Sequence, residues 1–374
     1  MAPDIVRLGP LIPDDSSRAS RWLRRGRGIV LELVLFIVIT GLLPVLVLLA
    51  ALVDFALWVR SRKPWMAVRL TLMLWWFLGG ELYGLAGLLA IQVVCLARDG
   101  PRRRRLVFAL KRQWLGSHVA GLRRLFALRF EYDGLELAGP GPVLVMIRHA
   151  SIIDNTLPDV VIGGAHGIGF RFVIKRELRM LPTIDVGGRW VPTLFIRRAS
   201  GDTAVELEKL RPLTENLGRD DGVLIYPEGT RCTAEKLARA KKIIAERQPE
   251  LAPLAEPLRH VLPPRLGGVL TLLEHSRDAR TVDGSGVDVV VFGHVGLDGF
   301  EYISDIWSGG LIGTTVRMKF WRYRARELPA DRDELIAWLY GVWRTLDDWI
   351  GEWVTFTDGP QSSSEQPPRT PIGA

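Results

Sequence analysis

One stretch limits this chain before any other. Residues 29–59 carry only Glu32 and Asp54 as charges, and the run is well beyond the roughly 20 apolar residues that a spanning helix needs. It is too long for a signal-peptide core and no small-residue cleavage site follows it, so it is expected to remain in the mature chain. A short polar break, Arg60-Ser61-Arg62-Lys63-Pro64, leads to a second apolar stretch from about Thr71 to Ala97, interrupted by Gly79-Gly80-Glu81. Together they predict a hydrophobic helical hairpin over 29–97. It either spans the bilayer or re-enters one leaflet, because Pro44, Glu81 and the glycines weaken each span. Basic clusters flank the pair: Arg18, Arg21, Arg24, Arg25 and Arg27 before it, Arg98 and Arg102 to Arg105 after it. Both exceed the cluster in the middle, which puts both ends and the rest of the chain on the cytoplasmic side.

The charge balance points the same way. Residues 1–130 hold 20 Lys and Arg against 7 Asp and Glu, whereas residues 131–374 hold 29 against 34, so the net +8 belongs to the amino-terminal part. A nucleic-acid-binding face would carry the basic excess through the rest of the chain with interleaved aromatics. Anionic lipid is therefore the expected partner and nucleic acid is not. The 48% apolar content allows a large core, and the positive mean hydropathy fits membrane segments. Two cysteines, Cys95 and Cys232, give neither metal spacing nor a disulfide framework, which suits a reducing compartment. Residues 98–128 mix Phe108, Trp114, Leu115, Val119, Leu122 and Phe126 with Lys111, Arg112, Arg123 and Arg124. They are expected as a basic amphipathic helix on the membrane surface, with a linker helix packed on the next domain as the alternative.

From residue 129 the texture changes to short apolar runs alternating with polar helical stretches. Strands are expected at 130–137, 143–147, 170–174, 193–196, 223–226, 261–262, 287–292 and 316–321, and helices near 152–162, 203–217, 233–247 and 266–277. That alternation predicts an α/β domain over 129–325 with a mainly buried sheet flanked by helices. In 326–357, Leu335, Trp338, Leu339, Val342, Leu346, Trp349, Ile350 and Trp353 recur every three or four positions, as the packing face of a carboxy-terminal amphipathic helix does. Residues 1–28 form a basic lead segment, and 358–374, rich in Ser, Pro and Gln, are expected to be disordered.

Chemistry-bearing residues gather where strands should end. The run Pro142-Val143-Leu144-Val145-Met146-Ile147 is followed by Arg148-His149-Ala150-Ser151-Ile152-Ile153-Asp154-Asn155. Ser151 and Asp154 have capping-box spacing, so Asp154 can serve a helix start with His149 a loop residue. Equally, His149 can be a general base whose second ring nitrogen is held by Asp154. Phe195-Ile196-Arg197-Arg198 ends a strand in two guanidinium groups, either a solvated charge pair or a phosphate fork. Tyr226-Pro227-Glu228-Gly229-Thr230-Arg231 ends another in a tight turn, and Val261-Leu262-Pro263-Pro264-Arg265 is an extended segment entering a glycine-started helix.

With these four stretches in this order, the chain resembles the lysophosphatidic acid acyltransferases of the glycerolipid acyltransferase family over about residues 128–325. His149 and Asp154 match its histidine–four residues–aspartate motif, Phe195 to Arg198 its second motif and Tyr226 to Arg231 its Pro-Glu-Gly-Thr-Arg motif. The apolar-Pro-Arg segment around Pro264 matches a fourth-motif form, and Lys175-Arg176-Glu177-Leu178 resembles a segment between the first two motifs. The resemblance implies a 1-acylglycerol-3-phosphate O-acyltransferase-like enzyme that moves an acyl group from acyl-CoA, or acyl carrier protein, to a lysolipid hydroxyl. His149 and Asp154 would be catalytic. Lys175, Arg197, Arg198, Glu228, Gly229, Thr230, Arg231 and Pro264 would bind substrate, with no metal and no cofactor besides the acyl donor. Arg148 stands where the family often has Asn, and Arg197 where many lysophosphatidate enzymes have Asp. Both departures are expected to bear on the acceptor, which leaves lysophosphatidate, glycerol-3-phosphate and other lysolipids open. Two rivals come from other classes. A metal-dependent phosphoesterase would need clustered ligands, whereas His118, His166, His260, His275 and His294 are scattered. A non-catalytic lipid-binding adaptor would not need His149, Asp154 and Glu228.

Overall fold

The first apolar stretch folds as one 44-residue helix, α1 (Arg18–Ser61). Ser17 starts it by accepting the Ser20 N–H at 3.1 Å, and Arg62 ends it in the left-handed conformation. The basic residues from Arg18 to Arg27 are thus the first turns of this helix. α2 (Ala67–Val94) runs back along it: Asp54 meets Met66, while Phe36 meets Trp75 and Gly79. At about 1.5 Å per residue α2 is roughly 42 Å long and α1 longer still, against a hydrocarbon layer of about 30 Å. Both are long and apolar enough to cross a membrane. Large side chains stand exposed along α1, among them Val30, Leu42, Leu48, Leu52 and Val59, a surface that a bilayer and not water accommodates. This is the hairpin of a membrane-associated chain. In the computed structural model the described residues are 17–96, 100–188, 190–191, 193–196, 210–279, 286–300 and 302–353. The side chains of 172–177, 193–196, Arg211 and Ile303 are outside the description too.

The acids within the hairpin do not face lipid. Asp54 is fully buried and closes the turn, its carboxylate accepting the N–H groups of Met66, Ala67 and Val68 at 2.9–3.0 Å. That satisfies three of the four donors that open α2. Glu81 is also buried, taking the Trp114 indole N–H at 3.2 Å with His118 Nε2 at 3.4 Å. Both partners lie on α3 (Pro101–Phe126), the helix expected at the membrane surface. It is instead clamped on two sides: Gly121 abuts Trp76 of α2, while Phe108 covers Gly169 and Lys111 pairs with Asp159 at 2.8 Å. It therefore packs as a linker helix would, between the hairpin and the sheet.

The sheet has seven strands: β1 (Arg129–Asp133), β2 (Val143–Ile147), β3 (Gly169–Lys175), β4 (Thr193–Ile196), β5 (Asp221–Ile225), β6 (Asp288–Val295) and β7 (Thr315–Tyr323). Their order is β1-β7-β6-β2-β5-β3-β4, parallel throughout except between β6 and β7. β2 lies near the centre with all five residues buried, as a parallel strand covered on both faces requires. Leu144 and Met146 face one core with Leu270, Leu273, Trp343 and Leu346; Val143, Val145 and Ile147 face the other with Phe126, Leu157 and Phe320. The first core packs α5 (Leu266–Asp278) and α6 (Arg332–Gly351), with α4 (Ala234–Arg247) beside them.

Two expectations fail locally, each for a physical reason, and a third falls largely outside the described residues. Residues 261–262 form no strand, because the N–H groups of Arg259, His260 and Val261 all point to the Asp347 carboxylate and that of Leu262 to Glu228. Residues 152–162 are not one helix: a 3-10 turn at Asp154–Thr156 precedes a π-type turn at Pro158–Ile162, since Pro158 supplies no N–H and the Asp154 side chain is engaged elsewhere. Of the helix expected at 203–217 only Arg211–Thr214 is helical among the described residues; 203–209 and the tail 358–374 lie outside them.

Candidate functional site

β6, β2 and β5 are adjacent and parallel, so their carboxyl ends open on one edge. The chain leaves β2 with the Arg148 N–H still bonded to Phe292 O at 3.3 Å, then turns sharply. Asp154 makes the turn: its Oδ2 accepts the N–H groups of Ala150 and Ser151, each at 2.8 Å, while Ser151 Oγ accepts the Ile153 N–H. The same carboxylate lies 3.1 and 3.3 Å from His149 Nδ1. Local capping and ring orientation are therefore performed by one group. The main chain of His149 is fixed from the neighbouring strand, its N–H donating to Glu228 Oε1 at 2.9 Å and its carbonyl accepting from Cys232 N at 2.8 Å. The Tyr226 ring lies 4.5 Å from the imidazole.

Electrostatics sharpen this. Burial alone would raise the Asp154 carboxyl, but the neighbouring His149 and His294 rings outweigh it and hold the group well below the usual carboxylate range. It is anionic at any physiological pH. Burial pushes the Tyr226 hydroxyl well up, with Asp154 adding to the effect, and pushes the Cys232 thiol up too, with Glu228 adding. Neither is a ready nucleophile. Burial likewise raises Glu228 to about 8 against the two backbone N–H bonds it accepts.

The resemblance puts Glu228 with the acceptor. In the structure its Oε1 takes the His149 N–H and its Oε2 the Leu262 N–H at 3.0 Å, so it ties three motifs together. Gly229 adopts φ +67, and a Cβ there would lie 2.8 Å from Arg265 Cδ and Nε, so only glycine makes this turn without strain. Thr230 is half-buried beside it. Arg231 lies over the Tyr302 ring, 5.4 Å from its centroid, and its Nη1 is buried with no hydrogen-bond partner among the described residues. Pro264 is buried in the extended segment that Asp347 holds. Lys175 and Ile196 end β3 and β4 in register on the same edge; the Lys175 side chain and residues Arg197 and Arg198 lie outside the described residues.

Arg148 corrects the reading that it bears on the acceptor. It is 1% exposed and turns inward, donating to His294 O at 2.8 Å, His260 O at 3.1 Å and the Asp298 carboxylate. Asp298 outweighs the desolvation of this guanidinium and keeps it charged, and Arg148 in turn holds the Asp298 carboxyl low despite burial. Sequence reasoning missed Asp298 and His294, whose Nε2 lies 3.6 Å from Asp154 Oδ2. A signal for His294 existed: period-2 alternation carries the face of Val290 and Phe292 on to residue 294. Among the described residues no three His, Cys, Asp or Glu side chains converge as a metal site.

Comparison with known proteins gives three findings. The Acyltransferase family model matches residues 129–251. The lyso-ornithine lipid O-acyltransferase of Pseudomonas aeruginosa is 34% identical over 137 residues, 37% of this chain and 46% of the relative, so the chain matches under half of that protein's length. The crystal structure of the 1-acyl-sn-glycerophosphate (LPA) acyltransferase PlsC from Thermotoga maritima aligns with a TM-score of 0.49 at 16% identity, over 77% of this chain and 98% of that one. The family match runs from β1 through the histidine–aspartate loop and the Pro-Glu-Gly-Thr-Arg turn to Leu251, ahead of the segment held by Asp347, and over those residues the chain is similar to the Acyltransferase family.

Proposed function

We propose that this protein transfers a fatty acyl group from a thioester donor, acyl-CoA or acyl carrier protein, to the free hydroxyl of 1-acylglycerol-3-phosphate, giving phosphatidic acid. The observation that carries the reading is the His149–Asp154 pair, a part-buried imidazole 3.1 Å from a carboxylate with no solvent exposure. With Nδ1 facing Asp154, Nε2 is left to take the hydroxyl proton as the acceptor oxygen attacks the thioester carbonyl. Asp154 fixes the tautomer and stabilises the imidazolium. Collapse of the tetrahedral adduct breaks the carbon–sulfur bond, and the proton on His149 passes to the leaving thiolate. No covalent acyl-enzyme is needed.

Arg231, with its unpartnered buried Nη1, is assigned to the acceptor phosphate together with Arg197, Arg198 and Lys175. Gly229 and Thr230 shape the turn that presents Arg231, Glu228 holds the His149 loop, and Pro264 lines the acyl side. The two-tailed product is insoluble in water, so the hairpin holds the site at the bilayer, with the catalytic domain on the cytoplasmic side. A second acceptor, a lyso-ornithine lipid, is favoured by the name of the 34% identical relative.

The test is product mass spectrometry with the full chain in detergent, palmitoyl-CoA as donor, and lysophosphatidate, glycerol-3-phosphate and a lyso-ornithine lipid as acceptors. Lysophosphatidate is expected to be acylated fastest, and His149→Ala to reduce turnover about 10²–10⁴-fold. Near-normal turnover in that variant removes the general-base assignment, and preference for the ornithine acceptor replaces the substrate.

A further inference from the structure

His294 sits at the end of β6 and is fully buried. Its Nε2 is 3.1 Å from the carbonyl of Arg148 and 3.6 Å from Asp154 Oδ2. A carbonyl oxygen only accepts, so Nε2 carries the hydrogen, and the Asp154 carboxylate lies within reach of the same N–H. The other ring nitrogen, Nδ1, has no hydrogen-bond partner among the described residues. The ring is wedged against Phe292, centroids 6.2 Å apart. The return contact from the β2 end is Arg148 Nη1 to His294 O at 2.8 Å, so residues 148 and 294 are doubly bonded across the β2–β6 junction.

This arrangement goes beyond the family pair of histidine and aspartate. Asp154 stands between two imidazoles on different strands, His149 on its Oδ1 side and His294 on its Oδ2 side. We infer that His294 is a positioning residue of the acyl-transfer reaction, acting through Asp154: its Nε2–H holds the Arg148 carbonyl and presents its positive edge to the Asp154 carboxylate 3.6 Å away, and so keeps Asp154 aimed at His149 Nδ1. The inference rests on the general-base reading of His149. The two imidazoles flanking Asp154, at 3.1 and 3.6 Å, hold that carboxyl low. The other titratable and charged groups facing the trio are Tyr226, Glu228, Cys232, Arg148, Asp298 and Asp159.

Three variants of the full chain separate this role from simple packing. His294→Leu removes the N–H and keeps bulk, His294→Gln returns an amide N–H near the Nε2 position, and His294→Asn carries an amide too short to reach. Turnover is followed in detergent with palmitoyl-CoA and the best acceptor from the panel, across pH 5–9, beside thermal melts and His149→Ala. His294→Leu and His294→Asn are expected to lose about 10–100-fold in kcat with KM within twofold, the range typical of groups that orient a reacting residue from one step behind. Without the His294 donor, Asp154 offers its full charge to the imidazolium, so the acidic limb of kcat/KM moves to higher pH. His294→Gln is expected to recover most of the kcat and the wild-type limb. Wild-type kcat and limb in His294→Leu overturn the proposal, and so does a Gln variant as impaired as Asn. Should Leu fail to fold, the comparison of Gln with Asn decides alone. An active His149→Ala enzyme instead overturns the general-base reading, whatever the His294 variants do.

Discussion

Asp154 carries more of the site than any other side chain. Its Oδ2 accepts two main-chain N–H groups while its Oδ1 faces the His149 ring. Asp154→Asn therefore has one favourable orientation: the amide oxygen keeps the two N–H bonds and the NH₂ turns to His149 Nδ1. An NH₂ can only donate, so the ring is forced to carry its hydrogen on Nε2, where it cannot accept a proton from the substrate. The variant is expected to fold, with a thermal midpoint near wild type, and to lose about 10²–10⁴-fold in kcat; an active variant contradicts the tautomer argument. Glu228 gives a pH prediction. Burial raises it from 4.5 to about 8, so the folded state binds its proton more tightly than the unfolded chain does. The stability it contributes is complete below about pH 4.5 and is lost as pH rises through 8. Thermal melts at pH 5.5 and 8.5 should show a drop in wild type that Glu228→Gln lacks, although the Gln variant starts lower because its NH₂ cannot accept a backbone N–H. The motif residues were legible because each motif is contiguous in sequence. The roles of Arg148 and Asp298 were not, because their contacts join positions about 150 residues apart and no local pattern tells which way a guanidinium turns; the alternation of β6 marks His294 as buried but not what it touches.

Among the elements, the hairpin and seven of the eight expected strands stand out from the sequence because apolar runs and their breaks mark them. Where the strand at 261–262 and the single helix at 152–162 fail, side chains capture main-chain donors that a propensity argument assigns to a ladder or helix. Asp347 does so at 259–261 and Asp154 at 150–151. Asp54 is the constructive case, an acid inside an apolar stretch that looks like a defect in a span and in fact starts the next helix. Asp54→Ala leaves three donors unmatched and is expected to destabilise the chain by about 1–3 kcal/mol. A fall in the thermal midpoint in detergent checks it, and Asp54→Asn, which keeps one acceptor, should fall between.

Across the whole molecule, the family match ends at residue 251, yet the site does not. Asp347 of α6 accepts the N–H groups of Arg259, His260 and Val261, and Trp343 Nε1 donates to Leu262 O at 3.0 Å. Leu262 in turn bonds Glu228, and Glu228 bonds His149. Asp347→Ala is accordingly expected to lower kcat as well as stability, although it touches no substrate; a stability loss with unchanged kcat would show that the relay ends at Leu262. At the other end, Arg24 and Arg25 of α1 both bond Asp185 at 3.0–3.1 Å, tying the first turns of the membrane helix to the catalytic domain.

That C-terminal relay sets an order of events during synthesis. α1 and α2 emerge from the ribosome before the sheet and are closed by a contact between neighbours in sequence, Asp54 with residues 66–68. Asp347 follows nearly three hundred residues later, about 15–60 s at the ~5–20 residues per second of translation. Through that interval the nascent chain can be tethered to a bilayer while its histidine loop lacks its final brace, so anchorage precedes competence.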